Sequence, residues 1–527
     1  MKVHYLRYSI AHALIGLFLI PTFVHAQETD ITQAPNSLNA GIQKSLDEQI
    51  GNGRGDIDTE GSSLYIINRD PFRSIRRGRQ LFQRKFTVAQ GLGPRTGDGH
   101  GDIEADGSIG AGLADSCAAC HGRPRGSAGF GGDVFTRPDS RDAPHLFGLG
   151  IIEMLADEIT SDLRAIKNGA VTRAQQTNQR VVAQLKSKGI SYGRIRALPD
   201  GSVDTSHVKG VNADLRVRPF FHEGGTISIR EFVVGALKAE MGLEAYDPDL
   251  EKAADGKKVT TPSGMVLDGS IDAIEAPPAT SESDDPDLDR VADEIPVSLV
   301  DHLEFYLLNY FKPATYRQTG RVKQGRKLFK QAQCTSCHIP SLTIAQDRRV
   351  ADVETVYNRQ RGSFNRLFAT AAPLIQEHAG SGNPPIQEPA KNSFLVKNIF
   401  ADFKRHDLGP NFWERNFDGT ITKEFMTEPL WGVGSTAPYG HDGRSINLWS
   451  VIMRHGGEAQ SSRNRFARLS NNQQSQLIEF LESLVLFPPD DTASNLNPKN
   501  SNAVNYPQNG HGNIALPKLF NDPTDLE

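Results

Sequence analysis

The chain has 527 residues, more than one compact domain usually holds, and a formal charge of −5 from 58 Lys and Arg against 63 Asp and Glu. Neither sign dominates a long stretch, which excludes an electrostatic footprint for nucleic acid. All four cysteines fall inside two Cys-x-x-Cys-His pentapeptides, leaving none for a structural disulfide.

Lys2 and Arg7, an apolar stretch over 13–20 and the small-residue site Val24-His25-Ala26 predict a signal peptide cleaved after Ala26, and so a periplasm-like compartment. The apolar run is far below the roughly 20 residues that cross a bilayer, and no later segment is long enough either, so no membrane span is expected. Residues 27–63 are polar and glycine-rich and read as a flexible segment. Phe72, Ile75, Leu81 and Phe82 then fit a short amphipathic helix over 70–86. A glycine-dense loop over 91–112 delivers the first pentapeptide, Cys117 to His121. Its Asp98, Asp102 and Asp106 have the oxygen chemistry of a calcium ligand set without the full EF-hand loop, and a solvated loop is the competing reading.

Helical pieces are expected at 154–167, at 177–188 and at Ile229–Met241. Residues 276–290 are proline-rich and acidic, the composition of an exposed linker, which places a boundary at 276–295 between an N-terminal unit over 64–275 and a C-terminal unit over 296–487. Leu299, Leu303, Leu307 and Tyr310 mark a helix ending before Pro313, and the second pentapeptide, Cys334 to His338, follows. Leu477, Phe480, Leu481 and Leu484 define a last helix before an Asn/Pro-rich tail from 488. The whole reads as mainly helix and loop.

Two phrases recur in the same order. Gly78-Arg79-Gln80-Leu81-Phe82 precedes the first pentapeptide and Gly325-Arg326-Lys327-Leu328-Phe329 the second; Pro144 to Gly150 follows one and Pro429 to Gly434 the other. Duplication of one unit is the economical explanation.

In Cys-x-x-Cys-His the thiols sit about one helical turn apart, where they reach the two vinyl groups of one haem, and the adjacent histidine lies under the iron. Cys117, Cys120 and His121 would thus hold one covalent c-type haem, and Cys334, Cys337 and His338 a second. A tetrahedral zinc site or a thioredoxin-like pair would leave unexplained why histidine follows both pairs.

The Gly-Arg-x-Leu-Phe phrases, Pro-Leu-Trp-Gly-Val-Gly at 429–434, Pro-Tyr-Gly-His-Asp-Gly-Arg at 438–444 and His-Gly-Gly-Glu-Ala at 455–459 resemble the bacterial di-haem cytochrome c peroxidase superfamily, and within it the di-haem oxidoreductases. The resemblance covers about 65–485 and is thin in the middle. It implies a mainly α fold: two cytochrome c-like haem domains with long loops and a helical or irregular middle insertion. One haem would take electrons from a small cytochrome c or cupredoxin, and the other would meet a small-molecule oxidant. Related branches reduce peroxide or cleave polyisoprene with oxygen, so an oxygenase is the second reading and a plain di-haem electron carrier the non-enzyme one.

The resemblance also implies a sixth ligand on the electron-accepting haem. His455 is the first candidate at the C-terminal haem and Met453 the second, against a helix-capping role. His145 and Met154 are the nearest candidates at the N-terminal haem, against plain packing. His406, beside Asp407, pairs an imidazole with a carboxylate as a proton shuttle would; His222 with Glu223 fits the same role, or a surface turn. Arg444 suits a haem propionate, with His441 as scaffold. Trp431 is a candidate electron relay between the haems.

Overall fold

The computed structural model describes residues 46–83, 86, 116–117, 121, 141–286, 292–311, 318–352, 355–358, 363–367, 372–416 and 418–484. The expected signal peptide, residues 27–45 of the expected flexible segment, Asp98, Asp102, Asp106, Cys120, part of the expected linker and the tail lie outside the described residues; residues 46–63 of that segment are described and open with the helix Leu46–Ile50.

The two Gly-Arg-x-Leu-Phe phrases have a common physical cause. The first lies in the helix Pro71–Gln83, which crosses Val297–Asn309; the second lies in Gly320–Gln331, which crosses Asn471–Glu482. A Cβ on Gly78 would sit 2.0 Å from the His302 carbonyl oxygen, and one on Gly325 would sit 1.9 Å from that of Gln476. Both crossings bring backbones so close that only glycine fits, while Leu81 and Leu328 of the same phrases are buried behind them.

The second repeated phrase behaves likewise. Gly148 and Gly432 both take left-handed backbone, at φ 81 and 80. Two residues on, a Cβ on Gly150 would meet the Leu308 carbonyl oxygen at 2.1 Å, and one on Gly434 that of Glu482 at 2.2 Å. Each phrase therefore seats a turn on the end of its unit's partner helix. The helix Val297–Asn309 lies beyond the expected linker, yet it packs on Pro71–Gln83 and completes the N-terminal unit. The boundary placed at 276–295 does not separate the two packings.

The mainly α expectation is overturned: 38% of the described residues are helical and 17% lie in strands, with several small sheets. The helix expected at 154–167 runs longer, as Leu149–Thr177, and the one at Ile229–Met241 is present. Its Ser228 cap accepts from the Glu231 amide, and Gly242 ends it at φ 65.

The piece expected as helix over 177–188 is instead a strand, Val181–Ser187, paired antiparallel with Ile190–Ala197. Lys188 and Gly189, at φ 47 and 85, make the two-residue hairpin turn that matches strand twist. Ala183, Leu185 and Ser187 face the core while Gln184 and Lys186 face out, which is a period of two. Further short pairs fill the region before the C-terminal core: Ser341–Ile344 with Phe394–Lys397, Ile375–His378 with Ile386–Pro389, and Arg405–Asp407 with Glu424–Met426.

One large apolar core runs from Leu46 to Trp431, and a second gathers Leu328, Phe329, Phe400, Phe466, Phe480 and Leu481. Among the described residues no helix is long and apolar enough to cross a membrane.

Candidate functional site

Each pentapeptide opens onto a cavity. Cys334, Cys337 and His338 line one of about 300 Å³, walled by Phe329, Leu448, Ile452, Phe466 and Leu481. Cys117 and His121 line one of about 170 Å³, walled by Phe82, Phe232, Leu237, Met241 and Leu303. The phenylalanine that closes each Gly-Arg-x-Leu-Phe phrase thus faces its own unit's cavity. The motifs fold alike: the His121 amide donates to the Cys117 carbonyl and the His338 amide to that of Cys334, both at 3.0 Å. This is one helical turn, and it puts the first thiol and the imidazole on the same side.

The imidazoles are held by their outer nitrogens. His338 Nδ1 donates to the Phe400 carbonyl at 3.0 Å and His121 Nδ1 to the Pro144 carbonyl at 2.7 Å. A carbonyl only accepts, so the proton is fixed on Nδ1 and Nε2 keeps its lone pair for a metal. Burial holds the His338 pKa below its ordinary value, which favours the neutral, ligating form. His455 lies on the same cavity with its Nδ1 on the Val451 carbonyl at 2.7 Å, and burial pushes its pKa down to about 4. An apolar slot with two thiols and two neutral imidazoles has the donor chemistry of a haem pocket. Arg463 Nε, buried on that wall with no hydrogen-bond partner among the described residues, adds a donor suited to a carboxylate of the group filling it.

Residues 374–484 match the family model described as "Di-haem oxidoreductase, putative peroxidase". Over that segment the chain is similar to the di-haem oxidoreductases. The matched segment contains neither pentapeptide, so it agrees with the haem motifs independently. No curated protein matches the chain. Among solved structures, hydrazine synthase from Kuenenia stuttgartiensis is similar at 16% identity and a TM-score of 0.22, over 38% of this chain and 60% of that one. A MauG-like protein associated with microbial copper homeostasis is similar at 13% identity and a TM-score of 0.31, over 82% of this chain and 91% of that one. The chain spans less than two thirds of the hydrazine synthase chain.

The cavities share a wall made by Asp142, His145, His222, Glu428 and Trp431 with two prolines. Trp431 is 6% exposed and meets Phe147, its counterpart in the repeated phrase, edge-on at 6.2 Å. His145 is on this wall, but its Nδ1 accepts from the Phe147 amide at 3.3 Å and the ring also bonds the Trp431 backbone. Burial lowers its pKa to about 4.

His222 has both ring nitrogens engaged, by Glu428 at 2.9 Å and the Asp142 carbonyl at 3.2 Å. Burial opposes its charge, but the Glu428 hydrogen bond prevails and raises the pKa. Glu223 lines neither cavity and pairs with Arg141 at 2.8 Å, which also forks onto buried Glu414. Glu414 in turn lies 3.1 Å from His441, whose ring stacks on Phe425 at 3.9 Å between centroids.

His406 lines the C-terminal cavity, with Nε2 on Asp402 at 2.9 Å and Nδ1 on Glu458 at 3.0 Å. Burial opposes its charge, but the Asp402 hydrogen bond prevails and raises the pKa. Met453 and Met154 line neither cavity, and Met154 sulfur accepts from the Arg348 amide at 3.1 Å. Arg444 lines neither, with its side chain 63% exposed and Asp442 at 3.6 Å.

Sequence reasoning missed Glu240 and Met241, which line the N-terminal cavity from the end of the Ile229–Met241 helix. The only local signal was the apolar face Phe232, Val233, Leu237 and Met241, which does not say what it faces. It also missed the Arg141–Glu414 pair, whose members are far apart in the chain.

Proposed function

We propose that the protein is a periplasmic di-haem oxidoreductase with both haems held through thioether bonds at Cys117/Cys120 and Cys334/Cys337, and that it reduces a peroxide-like oxidant at the N-terminal haem with electrons from a small redox protein. The observation that carries the assignment is an asymmetry between the cavities. His338 and His455 both keep Nε2 available in the C-terminal cavity and would together hold that haem, which would then serve electron transfer. In the N-terminal cavity His121 alone among the described histidines does so, because His145 and His222 are engaged elsewhere.

When bound, the haems would supply the one-electron couples for reducing an O–O bond. The balance is ROOH plus two electrons and two protons giving ROH and water, with two molecules of a one-electron donor oxidised. The chain's own residues supply the rest. Glu240 stands on the cavity wall as the acid/base group for those protons, and His222, charged beside Glu428, is a second source on the shared wall. Trp431 fills the wall between the cavities with an aromatic ring, the expected relay position. Glu223 positions Arg141 rather than touching substrate. His406 links exposed Glu458 to buried Asp402 beside the C-terminal cavity, where it would balance charge on electron uptake.

The test is stopped-flow peroxide reduction by the reduced holoprotein, followed by its optical spectrum. Oxidation of both haems within the turnover time supports the proposal. Spectra indifferent to peroxide, with a stable oxygen complex instead, would support the oxygenase reading.

A further inference from the structure

Phe221 lines the N-terminal cavity and is 37% exposed, the most exposed aromatic side chain on that wall. Its ring packs on Phe232 at 5.5 Å between centroids, and Phe232 meets the His121 ring edge-on at 6.3 Å. The side chain therefore stands where the cavity holding His121 meets solvent. The other aromatic side chains on that wall are better covered.

The backbone beneath the ring is unusual. Phe221 has φ 60, a left-handed conformation that a bulky residue rarely adopts and keeps only where its surroundings impose it. The imposition comes from a tight turn. The Gly225 amide donates to the Phe220 carbonyl at 2.8 Å and the Gly224 amide to the Phe221 carbonyl at 3.0 Å. A Cβ on Gly225 would approach the Phe221 ring to 2.9 Å, so glycine is what leaves space for the ring. On the other side, His222 is tied by both nitrogens to the wall between the cavities. The turn thus holds one side chain in the wall and the next at the mouth. Phe221 carries no hydrogen-bonding group, so any selection it makes is by bulk.

We propose that Phe221 is a size filter at the mouth of the N-terminal cavity, admitting diatomic molecules and small peroxides and slowing those with bulky substituents. This rests on the reading that the N-terminal haem is the ligand-binding one. The test compares association of carbon monoxide and of tert-butyl isocyanide with the reduced holoprotein, in wild type, Phe221→Ala and Phe221→Leu. Phe221→Ala is expected to speed the isocyanide by about ten-fold or more while carbon monoxide changes by less than about two-fold, with Phe221→Leu between. Equal acceleration of both ligands, or of neither, would overturn the filter. If carbon monoxide fails to bind wild type at all, the ligand-binding reading falls and takes the filter with it; that failure is visible before any variant is made. Gly225→Ala, which crowds the ring without removing it, is expected to move the ratio away from wild type, and an unchanged ratio there would count against the filter.

Discussion

A carbonyl oxygen cannot give a proton, so the contacts of His121 with Pro144, His338 with Phe400 and His455 with Val451 fix three imidazoles as the same tautomer. This makes His455 the residue on which the asymmetry of the cavities turns. In His455→Ala the C-terminal haem is expected to lose its low-spin optical and EPR signature and gain affinity for cyanide; an unchanged low-spin signal would remove His455 from the ligand set. Glu240→Gln is expected to lower peroxide turnover by about 10²–10⁴-fold with an unaltered resting spectrum, the size of a lost acid/base group; turnover within a few-fold of wild type would reassign the protons to His222. That Cys334, Cys337, His338 and His455 share one cavity, and Cys117 and His121 another, was foreshadowed in the sequence by the Cys-x-x-Cys-His spacing and, for His455, by the family resemblance. Met154 and Met453 were drawn by nearness in the chain and Arg444 by its charge within a family-like phrase, and nothing local says that Met154 is committed to Arg348 or that Arg444 lines neither cavity. Glu240 was invisible for the converse reason, since its importance comes only from what lies across the cavity.

At the scale of elements, the repeated glycines carry the clearest expectation. Gly78→Ala and Gly325→Ala each push a methyl into a helix carbonyl and are expected to cost ~2–3 kcal/mol in urea denaturation, where an ordinary exposed helix glycine would gain slightly. The Gly78 crossing has a pH dependence of its own. His302, buried there, bonds Ser74 Oγ at 2.8 Å, and burial followed by the Arg77 charge lowers its pKa to about 3. The unfolded chain takes up a proton on this histidine near pH 6.5 and the folded chain does not, so the stability it supplies is complete above that pH and is lost as pH falls toward 3. By pH 5 the loss from this group is ~2 kcal/mol, seen as a falling urea midpoint that is shallower in His302→Gln. A variant with the same acid slope would assign that loss elsewhere. The repeat was readable because the glycines recur, and the helix Ile229–Met241 because its cap and stop are local. The strand Val181–Ser187 was read as helix although Lys188-Gly189 and the alternation around it carry a hairpin signal; apart from its partner Ile190–Ala197, the other strands are two to five residues long, too short for a period to declare itself.

In the molecule as a whole, the N-terminal unit is closed by a helix that arrives more than 200 residues after the one it crosses. Composition alone could mark the acidic stretch before Val297 as a loop, but not say which unit claims the helix after it. The shared wall follows from the same arrangement: the two repeated phrases deliver Phe147 and Trp431 edge-on to one another, between cavities whose anchors lie apart. Changing Cys334 and Cys337 together to serine is therefore expected to leave a folded N-terminal unit that still binds carbon monoxide but no longer accepts electrons from a small cytochrome. Loss of carbon monoxide binding in that variant would exchange the roles of the two haems. The most direct test of the account is titration of the fully reduced wild-type holoprotein with carbon monoxide against its haem content. One carbon monoxide for every two haems is the expected result; two, or none, would contradict the division of the chain into one closed and one open haem.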